Sequence, residues 1–211
     1  HREAADTYGT VISANALPER SAELALERAT ALQLAGEFGE SDRLLGEFMT
    51  KYKDSPLIPV ALFRQGENSV FVAQKYARDA NPAERAKAKP QYEEAIKRYG
   101  ELVAKYPEAA NIGQARQGIG TAYYLLGDLE KAQKAYEAIP PADRGNDLIT
   151  VNYQLADIYL RQLPTRADDA VAAGRLEEKL KNAGELLEAF VTGAPEHASA
   201  PDALLKLGYC R

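Results

Sequence analysis

The 211-residue chain is 45% hydrophobic, enough for a sizeable core, and its 15 Gly and 11 Pro are ordinary levels, not the excess of a disordered chain. A net charge of −5, with both signs mixed along the sequence, argues against a nucleic-acid platform, which needs a basic face. No apolar run approaches the ~20 residues needed to span a bilayer.

Ala, Leu, Glu, Lys and Gln dominate and strand formers are sparse, so helices are expected throughout. The opening carries Ala4, Tyr8-Gly9 and Val11-Ile12, the same order as Ala95, Tyr99-Gly100 and Leu102-Val103. Residues 1–16 therefore read as the second helix of a repeat unit whose first helix precedes the chain. A full helix pair follows. Leu24, Ala25, Ala29 and Leu32 mark a helix over 19–35, closed at Gly36, and Leu44, Leu45, Phe48 and Met49 mark its partner over 40–52. The next helix starts near Pro59, carries Ala61, Leu62, Gly66 and Val70, and runs toward Ala80. Asn81-Pro82-Ala83-Glu84 is a helix start: Asn caps, Pro occupies the first helical position and Glu the third. Pro90 kinks or restarts the helix that then shows Tyr92, Ala95, Tyr99 and Leu102 on one stripe and ends at Tyr106-Pro107.

The most regular stretch is 115–140. Its two short helices are joined at Leu126-Gly127-Asp128, with Gly127 in the left-handed position that ends a helix and Pro140-Pro141 as the stop. Small residues, Gly120 and Ala132, mark close approach, and Tyr123 and Tyr136 fill the space about one turn away. A helix over 148–162 comes next, broken at Leu163-Pro164-Thr165. A long helix over about 168–191 is stopped by Thr192-Gly193-Ala194-Pro195, and 201–211 opens another unit. The small residue of each first helix sets a register: Ala29, Gly66, Gly120, Ala156, Gly208, at spacings of 37, 54, 36 and 52 residues. Two spacings lie near a ~34-residue period and two are longer by about half a repeat. The extra length falls between the two helices of alternate units, at about 74–90 and 164–178.

The order of small and large residues in 115–140 resembles a tetratricopeptide repeat (TPR). The resemblance implies an all-α, right-handed α-solenoid of antiparallel helix hairpins, alternate units carrying an insertion, in one domain over 1–211. The units are 17–56, 57–107, 108–141 and 146–195, with partial units at 1–16 and 196–211, so the chain reads as a piece of a longer protein. The phrasing Phe48-x-x-x-Tyr52-x-x-Ser55-Pro56, followed by Ala61-Leu62-Phe63-Arg64-Gln65-Gly66, resembles bacterial cell-envelope TPR proteins of the Tol–Pal-associated periplasmic and outer-membrane assembly lipoprotein kinds. That implies a periplasmic or envelope location, with the cytoplasm as the alternative, and a non-enzymatic scaffold. The Trp that often opens a TPR is replaced by Arg116 and Asn152.

TPR-like arrays bind a peptide or helix on a concave face lined by the first helices. The residues off the packing stripe in that register are Phe63 and Glu67, Gln117 and Thr121, Tyr153 and Asp157, Leu205 and Tyr209, joined by Tyr124 and Arg161. The family's Lys/Asn carboxylate-binding pattern is missing at these positions, and a mixed aromatic and acidic groove suits an apolar peptide bearing basic residues. The competing reading is that Phe63 and Tyr153 pack against the inserted helices. Chemistry-bearing motifs are few. His1 and His197 belong to no zinc motif and Cys210 is the single cysteine, so neither a metal site nor an internal disulfide is expected. Gly118-x-Gly120 lacks the third glycine and preceding strand of a dinucleotide loop and reads as helix contact. There is no Gly-x-Ser-x-Gly elbow. Glu93-Glu94 reads as a solvated face pairing with Lys97 and Arg98. Arg85, Lys87 and Lys89 alternate with Ala rather than aromatics, against nucleic-acid stacking. No catalytic residue, cofactor or nucleic-acid partner is expected. The expected partner is another protein; self-assembly into a homo-oligomer and a regulatory role beside a larger enzyme are the alternatives.

Overall fold

A computed structural model describes residues 1–163 and 170–211, and among them every regular element is helical. The chain divides into two compact units, His1–Asp128 and Leu129–Arg211. The boundary falls in the turn of the 115–140 hairpin, within the stretch that sequence alone treats as one repeat.

The first unit holds α1 (Arg2–Ser13), α2 (Ser21–Leu34), α3 (Phe38–Lys51), α4 (Ile58–Ala77), the one-turn α5 (Pro82–Arg85), α6 (Ala88–Lys105) and α7 (Ile112–Leu125). Each long helix packs on the next, and α4 also touches α2 and α7. This is the contact pattern of stacked hairpins, where a unit meets only its neighbours. The second unit holds α8 (Leu129–Glu137), α9 (Thr150–Arg161), α10 (Ala170–Gly193) and α11 (Ala200–Cys210), again packed in sequence order. The start expected for α10 near Asp168, and Pro164-Thr165 before it, lie outside the described residues.

The helix ends follow from local chemistry. After α7, Gly127 takes φ +82°; its N–H donates to the Tyr124 carbonyl at 3.0 Å and the Asp128 N–H to the Tyr123 carbonyl at 3.0 Å. After α2, Gly36 (φ +78°) and Glu37 make the same two bonds, to Gln33 and Leu32. This is the Schellman closure, which needs a left-handed residue and favours glycine. Asn15 (φ 49°) serves in the same way after α1. At Asn81 the expected cap forms: its side chain accepts from the Ala83 N–H at 2.9 Å. Glu84 does not reach back but pairs with Lys87 at 2.7 Å. The inserted segment at 74–90 is thus the last turn of α4, then α5, then a restart at Ala88 that puts Pro90 in the first turn of α6, where its missing N–H costs nothing.

In the first unit Leu45, Phe48, Ala61, Leu62, Ala95, Tyr99 and Leu102 form the main core, with Ala73, Tyr92 and Ala122 in a smaller cluster. In the second, Ala156, Ala183, Leu187, Phe190 and Ala203 are all fully buried. Four of the five register residues, Ala29, Gly66, Gly120 and Ala156, are buried as expected. Gly208 is not: it is exposed, and a Cβ there would meet nothing within 4 Å. The helix α11 is covered along Ala203 and Leu207, which pack into the second core, while Gly208 lies off that stripe.

Candidate protein-binding surface

In the first unit the expected surface residues sit on α4 and α7. Phe63 is half-buried, its ring 5.6 Å from that of Tyr99. Glu67 pairs with Arg64 at 2.7 Å, and Arg64 leans on Gln33 at 3.4 Å. Behind this pair lies a polar seam: Gln33 donates to Asn68 at 2.9 Å and to the Arg64 carbonyl at 3.1 Å, and Asn68 donates to Ser41 at 3.0 Å. These buried groups satisfy one another, which fixes how α2, α3 and α4 meet. Gln117, Thr121 and Tyr124 are half-buried on α7, each with an interaction partner.

In the second unit Tyr153, Asp157 and Arg161 follow one another along α9. Register alone aims Asp157 at solvent, yet it is 5% exposed. A buried carboxylate must be paired. Lys206 of α11 reaches one oxygen at 2.7 Å and Arg161 the other at 2.6 Å. Lys206 also bonds Asp202 at 2.7 Å and the Tyr153 hydroxyl at 3.0 Å, with its ammonium 4.7 Å from the Tyr153 ring centre. The Tyr153 hydroxyl donates to Asp202 at 2.6 Å while its ring packs on Phe190 at 5.3 Å. Burial pulls the Lys206 pKa down, but hydrogen bonds to Asp157, Asp202 and Tyr153 outweigh it and the net shift is upward. Burial, then the bond to Asp202, raises the Tyr153 hydroxyl; the bonds from Lys206 and Tyr153 hold Asp202 below its ordinary range.

Leu205 and Tyr209 stand apart. They are 75% and 71% exposed, and with Leu204 and Gly208 they form an apolar strip along α11. The structure therefore joins Tyr153, Asp157 and Arg161 into one network through a lysine that sequence reasoning missed, leaves Leu205 and Tyr209 open, and seats Phe63 against Tyr99. The only sequence signal for the missed lysine was Asp202, four residues before it on the same helix face. Elsewhere Glu93 pairs with Lys89 at 4.0 Å, not with Lys97, whereas Glu94 takes Arg98 at 2.8 Å as expected. Asn152, in the place of the usual Trp, is buried and donates to the Arg144 carbonyl at 3.2 Å.

The contact order and closures among the described residues define an all-α solenoid of TPR-like hairpins. Residues 114–140 match the tetratricopeptide repeat family, across the boundary of the two units. Among solved structures, the nearly identical TPR-like repeats of a protein assigned as a kinesin light chain from Podosopora anserina superpose with TM-score 0.53, at 17% identity over 88% of this chain and 83% of that one. A point variant of the same repeats gives TM-score 0.56, at 17% identity over 90% and 86%. Likeness at that identity speaks to fold alone. None of the curated proteins compared with the chain matches it. The TPR fold is generally a non-catalytic protein-interaction scaffold, and no described helix is long and apolar enough to cross a membrane.

Proposed function

We propose that this chain is a non-enzymatic scaffold that binds a peptide or helix of a partner protein along the solvent side of its first helices. The observation that carries the reading is the strip on α11. Leu205 and Tyr209 fall in the groove register predicted from sequence, and both are open to solvent. A large aromatic beside a large aliphatic, exposed together, is the composition of an interface anchor. Phe63 with Glu67, and Gln117, Thr121 and Tyr124, present the same register in the first unit. In the second unit, Tyr153, Asp157 and Arg161 hold the same register on α9, and Lys206, which bonds Tyr153 and Asp157, lies among the strip residues. The mixture suits an apolar peptide carrying basic side chains, since Glu67 and Asp202 keep part of their carboxylate surface accessible. The likeness of phrasing to envelope TPR proteins supports a periplasmic site of action, which fractionation of the source cell tests.

The structure also selects the variants. Replacing Phe63 or Tyr153 by alanine removes packing against Tyr99 or Phe190 and confounds binding with folding. Leu205→Ser with Tyr209→Ser changes only exposed groups. A displayed peptide library panned on the wild type is expected to enrich peptides with aromatic or aliphatic residues beside Lys or Arg. Those peptides are expected to lose at least about tenfold in affinity on the double variant, with circular dichroism unchanged. Failure to enrich, or equal affinity for a folded double variant, would remove the α11 strip from the binding surface. If the substitutions instead convert a defined oligomer to monomer in light scattering, the strip serves self-assembly.

A further inference from the structure

A second feature lies in the first unit, where α1, α2 and α3 line a half-open cavity of about 140 Å³. An apolar cavity of ~150 Å³ is large enough to admit benzene, so this one has room for a chain of on the order of four carbons. Ile12, Leu44 and Phe48 supply an apolar wall; Arg28, Lys51 and Tyr52 supply the polar side. The spacing explains the convergence. Phe48, Lys51 and Tyr52 are three and four residues apart at the end of α3, so they share one face and meet Arg28 on α2.

The polar side is built but unsatisfied. Arg28 Nε and the Tyr52 hydroxyl are both buried, and neither has a hydrogen-bond partner in the protein. Buried donors left in that state are rare because each forfeits its hydration, and they ask for an explanation. Both side chains belong to the lining of this one cavity. Arg28 is also held in place: it lies against Gly9 of α1, where a Cβ would come within 3.0 Å of its Cζ. The charge balance favours an anion. The Lys51 ammonium lies 5.1 Å from the centre of the Tyr52 ring. The acid on the rim, Glu47, is turned to Arg43. The lining thus holds two cations, Arg28 and Lys51, against one carboxylate, Glu47, which pairs with Arg43.

We propose that this cavity binds a small amphiphilic carboxylate. Its oxygens accept hydrogen bonds from Arg28 Nε–H and the Tyr52 hydroxyl, Lys51 adds positive potential at the mouth, and the short alkyl chain lies on Ile12, Leu44 and Phe48. A tetrahedral dianion such as phosphate would waste the apolar wall, and a neutral hydrocarbon would leave both donors unpaired. The site is built from residues of the first unit alone.

The test is a titration of the ¹⁵N-labelled full chain with valerate at constant ionic strength, with valeramide as the uncharged isostere. Saturable amide shifts confined to α1, α2 and α3 are expected, with valeramide weaker by at least about tenfold, as for loss of a charge-assisted hydrogen bond. Tyr52→Phe and Arg28→Met are each expected to weaken valerate by about tenfold or more. Lys51→Gln, at an exposed position that cannot unfold the protein, is expected to weaken it a few-fold and to flatten the dependence on salt. A blocked glutamate in parallel separates the two sources of this chemistry: tighter binding than valerate assigns the carboxylate to a protein side chain, looser binding to a free acid. Shifts that never saturate, equal affinity for valeramide, or no effect of Lys51→Gln and Tyr52→Phe in folded variants would each overturn the proposal. The first of these would leave the cavity to ordered water alone.

Discussion

Tyr99 shows how much one residue in this fold depends on two glycines. A Cβ on Gly66 of α4 would lie 2.4 Å from Cε1 of the Tyr99 ring, and one on Gly118 of α7 would lie 2.5 Å from Cε2, on the other edge. The ring is 3% exposed and held from both sides, so it cannot swing away from one glycine without striking the other. Two opposing effects decide the outcome of Gly→Ala here. Removing a mid-helix glycine stabilises by about 0.5–1 kcal/mol, whereas overpacking a filled core costs about 1–3 kcal/mol. The clash at both sites is severe, so Gly66→Ala and Gly118→Ala are each expected to destabilise by on the order of 1–2 kcal/mol net. Gly100, in the middle of α6 with nothing within 4 Å of its Cβ position, is the control. Gly100→Ala is expected to stabilise by about 0.5–1 kcal/mol. Urea unfolding with an unchanged m-value reads both signs, and a stabilised Gly66→Ala would show that the ring is not confined. Part of this was legible in the sequence: Gly66 fell in the small-residue register, and Gly118 without a strand or third glycine read as a helix contact. That Tyr99 was the shared object of both glycines was not legible, because spacing along a chain does not say which side chain enters a gap.

At the scale of elements, α9 and α11 are tied by charge as well as by Ala203 and Phe190. Lys206→Met removes the cation that Asp157, Asp202 and Tyr153 share and takes from the buried Asp157 one of its two cations, Arg161 staying in place. A cost of roughly 1–3 kcal/mol is expected, below that of stripping a buried pair completely because Arg161 remains. The pH dependence follows from the shifts. Lys206 titrates higher in the fold than in the unfolded chain, so its stabilisation is complete below about pH 10 and fades as pH rises through the raised value. Asp202 titrates lower in the fold, so its stabilisation is present above about pH 4 and is lost as pH falls through the depressed value. Thermal unfolding of the wild type should therefore show a plateau between those limits and a decline outside them. The alkaline decline should become shallower in Lys206→Met, the remainder belonging to buried hydroxyls such as Tyr99 and Tyr153, which also titrate higher in the fold; if it persists unchanged, the lysine is not a source. Helix ends were the best-read feature of these elements. Gly36, Asn81, Gly127 and Pro107 act through their own backbone chemistry, which needs no distant partner. The candidate surface was read less fully. The 3.6-residue period places Tyr153, Asp157 and Arg161 on one side of α9, but it is silent about a lysine 49 residues downstream that covers them.

For the molecule as a whole, the repeats and their uneven spacing were visible in sequence, whereas the division at Asp128 was not. The apolar period runs through the 115–140 hairpin without a break, and a boundary set by how densely distant segments touch leaves no local mark. In a solenoid, stability is close to a sum over units and their neighbours, so damage should stay near its origin. Phe190 offers the test. It is fully buried in the core of the second unit, between Tyr153 and His197. Phe190→Ala is expected to cost about 3–5 kcal/mol there. In hydrogen exchange, amides of α9, α10 and α11 should then lose protection by on the order of a hundredfold or more. Amides of α2, α3, α4 and α6, whose core is built from Leu45, Phe48, Ala61, Tyr99 and Leu102, should keep theirs within a few-fold. An equal loss in both groups would mean that the chain unfolds as one cooperative body, and the cost of a single cavity would then be carried by every helix rather than by its neighbours.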